Sequence, residues 1–340
     1  MNLSHIQRNA EEIFHKLRWN NGKSFQCPFC GSIHITSKDI NHHHCNSCNR
    51  YFSDTSNTIF HSTKLPLWKW LTAIYYFLST PHGISSYTLS KYISVSQPTA
   101  WRMQMLLRTH LRQQIELSDE IILDEVYLGA EWKWVPTYTK MRKLREMEKR
   151  MRLENPRWVA PLDNERLKCL NYRCAADDKM IVLGIRDYKA RKLELLYIPT
   201  LTGERVVELI KTRNKGISRI ITDQSRLYGS LPFKRSICNH GKGQYKSADG
   251  YSSNPIENHF SHLRRTWHGT YQWFSKKYIQ GYLDEFAFRY NYRNMKLIDK
   301  FSAAFCLIIT GFFVILETDG FFLFVVAFCH EGTNKIFYIF

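Results

Sequence analysis

The chain has 340 residues, 48 of them Lys or Arg against 30 Asp or Glu, a formal net charge of +18. A hydrophobic content of 44% with 23% charged residues excludes a disordered chain, and the length allows two or three domains with buried cores. The charge excess implies a polyanionic partner, most simply nucleic acid, the plainer alternative being a basic enzyme of another kind.

Residues 1–19, MNLSHIQRNAEEIFHKLRW, read as an amphipathic helix of mixed charge and not as a signal peptide. Of the nine cysteines, four form two CxxC knuckles, Cys27/Cys30 and Cys45/Cys48, fourteen residues apart. Four thiolates so spaced can close a tetrahedral zinc site, and with no open position the zinc is structural. The other five are scattered, which fits a reducing, cytoplasmic compartment with one metal site. His42, His43 and His44, beside Cys45, read as exposed and able to approach phosphate.

Residues 63–78 carry Leu65, Leu67, Trp68, Leu71, Ile74, Tyr75 and Leu78 at helical spacing, ended by Pro81 and Gly83. Residues 85–111 then read as helix, turn, helix, with Ser85 or Ser86 capping the first and Pro98 starting the second. The functional reading is a helix-turn-helix that lays residues 99–108 in a major groove; the plainer one is a helical hairpin. Arg102 and Gln104 are expected outward, and Met103, Leu106 and Leu107 inward. Thr99, Arg102, Arg108 and the later Arg265 are the expected DNA contacts.

From residue 116 the pattern turns to strands. The run 121–128 is apolar around Asp124, whose burial without a partner would be costly, so it is expected to face a metal or a cleft, with Glu125 on the opposite face. Residues 137–158 form a basic insertion that reads either as a solvated helix or as a surface touching the DNA backbone. Strands are expected at 180–187, 191–199 and 217–222, with a helix at 203–212, a mixed α/β order. Asp223 follows the last of these strands, where open α/β sheets place their sites.

Asn254-Pro255 opens a further helix that carries Glu257 and, seven residues on, Arg264 on the same side. Glu257 could equally serve a capping box. Asp124, Asp223 and Glu257 stand 99 and 34 residues apart. Three such acids could gather two Mg²⁺ ions, which require hard oxygen ligands, for phosphodiester displacement, with Arg264 near the scissile phosphate.

The segments CPFC, CNSCNRYFS, TIFHSTKLPLWKW, LDEVYLG, ITDQSRLY, SNPIENHFSHLRRTWHGTY and YLDEFAFRYNYRN occur in that order between residues 27 and 294. On these the chain resembles the zinc-ribbon DDE transposases of bacterial insertion sequences, the ISXO2-like, Merlin-related group. The resemblance implies a ribonuclease-H-like mixed sheet with flanking helices behind the zinc ribbon and helix-turn-helix. It also implies two divalent ions (Mg²⁺ or Mn²⁺), double-stranded transposon ends and target DNA as partners, and a homodimer or higher oligomer on DNA. It assigns Asp124 and Asp223 as the first two acids and leaves Glu257 or Asn254 as the third ligand, with Arg264 where relatives commonly carry Lys. His240 matches a recurring histidine of unassigned role. A DNA-binding regulator without catalysis, a nuclease without strand transfer and an inactive copy are the rival readings.

The expected domains are 1–62, 63–115, a catalytic domain at 116–300 with its insertion at 132–165, and an apolar tail at 301–340. Residues 301–316 and 321–329 are uncharged, and both runs fall short of the ~20 residues that span a bilayer. The first reads as a buried closing helix. The last twenty or so residues depart from the family pattern, as a shifted reading frame would make them.

Overall fold

Ile121, Ile122, Leu123 and Val126 are buried within one strand, β4 (Glu120–Leu128), which has neighbours on both sides. The computed structural model describes residues 3–113, 115–129, 137–156, 179–214, 216–229, 231–238 and 246–310, and the backbone alone of 314–318, 321–330 and 333–339. It divides into two compact units, one of residues 116–191 and 195–264, the other holding the rest.

The unit containing β4 is built on a mixed five-stranded sheet. After the helix α6 (Thr137–Glu154), the chain adds β5 (Met180–Asp187) and β6 (Leu193–Ile198). The helix α7 (Gly203–Lys211), capped by Thr202, leads to β7 (Arg219–Thr222) and β8 (Lys234–Ile237). Spatial order is β6-β5-β4-β7-β8. β5 runs antiparallel to β4 with Asp124 opposite Gly184, whereas β7 is parallel to β4 and β8 parallel to β7. Strand β8 was not anticipated: Lys-Arg-Ser-Ile is short, and its burial pattern leaves only Ser236 buried, as an edge strand permits.

The helix α8 (Asn254–Thr266) lies over this sheet. A Cβ at Gly184 would come within 2.8 Å of the Phe260 ring and 2.9 Å of Ile256, so glycine there is what allows the helix to sit so near. The segment leading into α8 is tied to the far end of β4: the Tyr251 hydroxyl donates to Glu120 at 2.6 Å, and the Arg219 guanidinium lies 4.7 Å over the Tyr251 ring.

The other unit begins with α1 (Leu3–Arg8) and α2 (Ala10–Arg18), two helices where one was expected, followed by the three-stranded antiparallel ribbon β1 (Ile35–Asp39), β2 (His42–Cys45) and β3 (Arg50–Phe52). Then come α3 (Leu67–Ser79), α4 (Ser86–Tyr92) and α5 (Gln97–His110). α3 starts later than its apolar pattern because Pro66 holds an extended ψ of 142°. Ser85 and Ser96 cap α4 and α5 by accepting from the Thr88 and Thr99 amides, and Ser94 turns the chain between them at φ +52°. α9 (Ile279–Asn291) and α10 (Leu297–Thr310) complete the helical core, where Phe14, Phe60, Phe77, Leu107, Phe288, Phe301 and Phe305 pack together.

α10 is the buried helix expected of the first apolar run. The tail then forms an antiparallel meander of β9 (Val314–Thr318), β10 (Phe321–His330) and β11 (Thr333–Ile339). Among the described residues no helix is long and apolar enough to cross a membrane.

Candidate functional site

Each cysteine knuckle of the ribbon is a backbone turn closed by an amide four residues on: Gly31 donates to the Cys27 carbonyl and Asn49 to that of Cys45, both at 2.9 Å. Gly31 and Asn49 adopt φ of +72° and +56°, the left-handed region that glycine and asparagine reach with least strain. The four sulfurs lie within 4.8 Å of one another, with Cys27–Cys48 at 3.7 Å and Cys30–Cys45 at 3.5 Å. A tetrahedron with ~2.3 Å zinc–sulfur bonds has an edge of about 3.8 Å, so these residues fit zinc. The Cys48 amide acts most strongly on the Cys45 thiol and, with that of Ser47, outweighs burial and pulls it down to about 6. Cys27, Cys30, Cys45 and Cys48 therefore have the donor chemistry and the spacing to hold a structural zinc.

Beneath them, Asp54 accepts from the Trp19 indole at 2.6 Å, and pairs with His15 at 2.8 Å and His43 at 3.1 Å. This fastens α2 to the ribbon. It also corrects the expectation for the three histidines: His43 is buried, with Ser37 on its other nitrogen. The ribbon's own apolar core is small, being Trp19, Cys27, Cys45 and Phe52 with a few partly buried neighbours. Chelating the zinc is expected to strip amide-exchange protection from residues 27–52 while β4, β5 and β7 keep theirs. Equal protection with and without metal would refute this.

The second gathering lies along β4. Asp124 is pushed up to about 7, first by burial and then by the charges of Glu125, Asp223 and Glu257. Asp223 and Glu257, the other two acids singled out in the sequence, are thus near enough to act electrostatically on Asp124. Each arrives from a different element: Asp124 from β4, Asp223 from the first position after β7, and Glu257 from the first turn of α8. Asp223 is fixed by its own turn. Its carboxylate accepts from the Ser225 amide at 2.9 Å, and Arg235 donates to its carbonyl at 2.6 Å. Glu257 accepts from the Ser253 hydroxyl at 3.4 Å, and Asn254 is itself the first helical residue. Among the described residues, the groups whose ligand atoms all close to within 4.8 Å are the four cysteines and the His15–His43–Asp54 set; the three acids are spread more widely.

Glu125, the next residue along β4, is also drawn into this network. Burial and the charge of Asp223 raise its carboxyl, and Tyr228 donates a hydrogen bond to it. β7 pairs with β4 only as far as Ile122↔Ile221, so beyond that point the turn Arg226–Tyr228 meets the edge of β4 instead of a strand. Tyr228, fully buried, was not picked out in the sequence; its only signal was its place five residues after Asp223. It links the segment carrying Asp223 to the strand carrying Asp124, and so holds the two acids at a set spacing. Burial and the surrounding carboxylates keep its phenol protonated.

Asn254 and Arg264 are exposed in the first and last turns of α8, and Arg265 is exposed beside Arg264. His240 lies outside the described residues. On α5, Arg102 is exposed and Thr99 half-buried. Gln104, expected outward, is buried and donates to the Ile84 carbonyl at 2.8 Å, while Leu106, expected inward, is exposed. Arg108 is corrected as a DNA contact. It is 1% exposed and donates to the buried Glu285 at 2.6 Å, so no phosphate can reach it.

Comparison with known proteins gives this geometry a lineage. A transposase zinc-ribbon domain matches residues 7–51, and an ISXO2-like transposase domain matches residues 116–291. An uncharacterized protein in transposable element ISH50 of Halobacterium salinarum is 26% identical over 296 residues, covering 83% of this chain and 90% of that protein. With its zinc-ligand cluster, its mixed sheet and more than half its length within one family's pattern, the chain belongs to the ISXO2-like transposases of insertion sequences.

Proposed function

We propose that the protein is a DDE-type transposase that binds the ends of its element, cleaves the DNA there in a metal-dependent reaction, and joins the freed 3′-hydroxyl to target DNA. The observation that carries this reading is the nearness of Asp124, Asp223 and Glu257, where burial first, and then the charges of Glu125, Asp223 and Glu257, push the Asp124 carboxyl up to about 7. Crowded anions of this kind are relieved by divalent cations. Phosphodiester displacement of this kind uses two ions about 3.5–4 Å apart. Mg²⁺ or Mn²⁺, when bound, supplies Lewis acidity at the phosphodiester.

The chain's own residues do the rest. Asp124, Asp223 and Glu257 hold the ions, with Asn254 a neighbouring oxygen donor on the same helix. Arg264, two helical turns along from Glu257, offers its charge to the phosphate. The sheet order, with its second strand antiparallel to a central first strand, supports a ribonuclease-H-like domain. α4 and α5 with their tight, serine-capped turn support a helix-turn-helix that offers Thr99 and Arg102 to a groove, with Arg265 on the backbone. An oligomer assembled on paired ends, at work in the cytoplasm, completes the reading.

The test is cleavage of a duplex carrying the element's ends. Intact protein with Mg²⁺ should cut it, chelator should stop it, and Asp223→Ala should lower the rate at least about a thousandfold, or about 4 kcal/mol of transition-state stabilisation. Binding without cleavage by the intact protein would leave a DNA-binding protein and overturn the proposal.

A further inference from the structure

The helix α6 carries seven basic and three acidic side chains in eighteen residues. It follows β4 in the chain, with Thr137 thirteen positions after Asp124. Arg142, Arg145, Lys149 and Arg152 are all exposed, and their spacings of three, four and three place them on one stripe of the helix. The stripe rises about 15 Å at ~1.5 Å per residue, the length of roughly four base-pair steps of about 3.4 Å.

A helix evolved only to face water would pair these charges evenly. Here like charges recur at three and four positions, an arrangement that weakens an isolated helix. Two acids flank the stripe: Glu146, which reaches Arg142 at 4.0 Å with both side chains more than 60% exposed, and Glu148 on the other edge, so the bases of the helix still outnumber its acids. Protein partners are matched by aromatic and apolar anchors with few lysines, and among the described side chains the apolar residue bordering this stripe is Leu153. Long cationic side chains without such anchors match a phosphate backbone.

We infer that the α6 stripe of Arg142, Arg145, Lys149 and Arg152 is a sequence-independent docking surface for the phosphate backbone of duplex DNA, an inference that rests on the transposase reading above. It contributes affinity and salt dependence, and no choice of sequence. It thus separates holding the DNA from recognising the element's ends.

The test uses the full, zinc-loaded chain and a mixed-sequence duplex, with affinity measured from about 50 to 200 mM salt. Replacing the four residues together (Arg142→Gln, Arg145→Gln, Lys149→Gln, Arg152→Gln) should flatten the slope of log affinity against log salt by about 3–4, since each phosphate that is no longer neutralised removes ~0.9 from it. Single Gln substitutions should flatten it in steps of about 0.9, which keeps the test decisive if the quadruple variant folds poorly. The charge-keeping variant Arg142→Lys/Arg145→Lys/Arg152→Lys should retain the intact slope. Slopes unchanged by the Gln variants overturn the inference and leave the transposase reading standing. A change of oligomeric state in sedimentation, with the slope unchanged, assigns the stripe to a second copy of the chain and also overturns it. Intact protein that binds no duplex at any salt removes the transposase reading and this inference together.

Discussion

Asp124→Asn should make the metal-free protein more stable at pH 8 while abolishing metal-dependent cleavage. Asp124 has an ordinary value of 3.8 and is pushed up to about 7 by burial and by Glu125, Asp223 and Glu257. Its folded-state value lies above its unfolded one. The associated stability is therefore fully present below about pH 4 and is lost as pH rises through about 7. Three units correspond to about 4 kcal/mol as a ceiling, and relaxation with solvent access reduces the expected loss to about 1–3 kcal/mol. Asparagine carries no charge to penalise and keeps the acceptor that takes the Glu125 amide at 2.9 Å. The variant should gain that 1–3 kcal/mol in urea melts at pH 8 and little at pH 4. Adding Mg²⁺ should stabilise the parent at pH 8 and leave the variant unmoved, by the linkage of binding to folding. A variant less stable than the parent at pH 8 without metal would contradict the crowding of acids on which the proposed function depends.

Removing the carboxylate of Glu285 is the second large change. Burial drives that carboxyl up, and Arg108 with Arg289 more than reverses this, holding it below its ordinary range. Tyr271 donates to it at 2.5 Å, Arg108 at 2.6 Å, and Arg289 also reaches it. The Arg108 terminal nitrogens have no hydrogen-bond partner among the described residues. Its guanidinium lies 3.9 Å over the Tyr282 ring and 5.1 Å over that of Tyr271. Glu285→Ala strands two guanidinium ions in a dry core and should cost about 3–5 kcal/mol. Adding Arg108→Met should recover part of that loss, because it removes one of the stranded charges. A loss under about 1 kcal/mol for Glu285→Ala would mean that water or another acid already neutralises these arginines.

That same arginine marks where reading the chain by itself stopped working. Ala100, Gln104 and Arg108 fall at successive fourth positions of α5, along the line that faces its core. The periodicity was visible, but a buried arginine is tolerated only beside its counter-ion, and Glu285 lies 177 residues further on. Cys27, Cys30, Cys45 and Cys48 were legible because their ligand spacing is local. Asp124 and Asp223 stood out as acids within or just after runs of buried isoleucine and leucine. Strand β8 was not, since an edge strand of Lys-Arg-Ser-Ile carries too little apolar pattern to declare itself. The tie between Glu125 and Tyr228 was out of reach for the same reason as that of Arg108, since 103 residues separate the two.

The order of the sheet has a consequence for synthesis. β4 leaves the ribosome early, β7 pairs with it only after a long interval, and α8, which sits on Gly184, comes later still. Asp124 and Glu257 are 133 positions apart. At translation speeds of about 5–20 residues per second, roughly seven to twenty-seven seconds pass between the emergence of the first acid and that of the last. A chain released in that interval holds the strands without the helix that carries Glu257, so under the proposed function a prematurely terminated copy would lack its third acid.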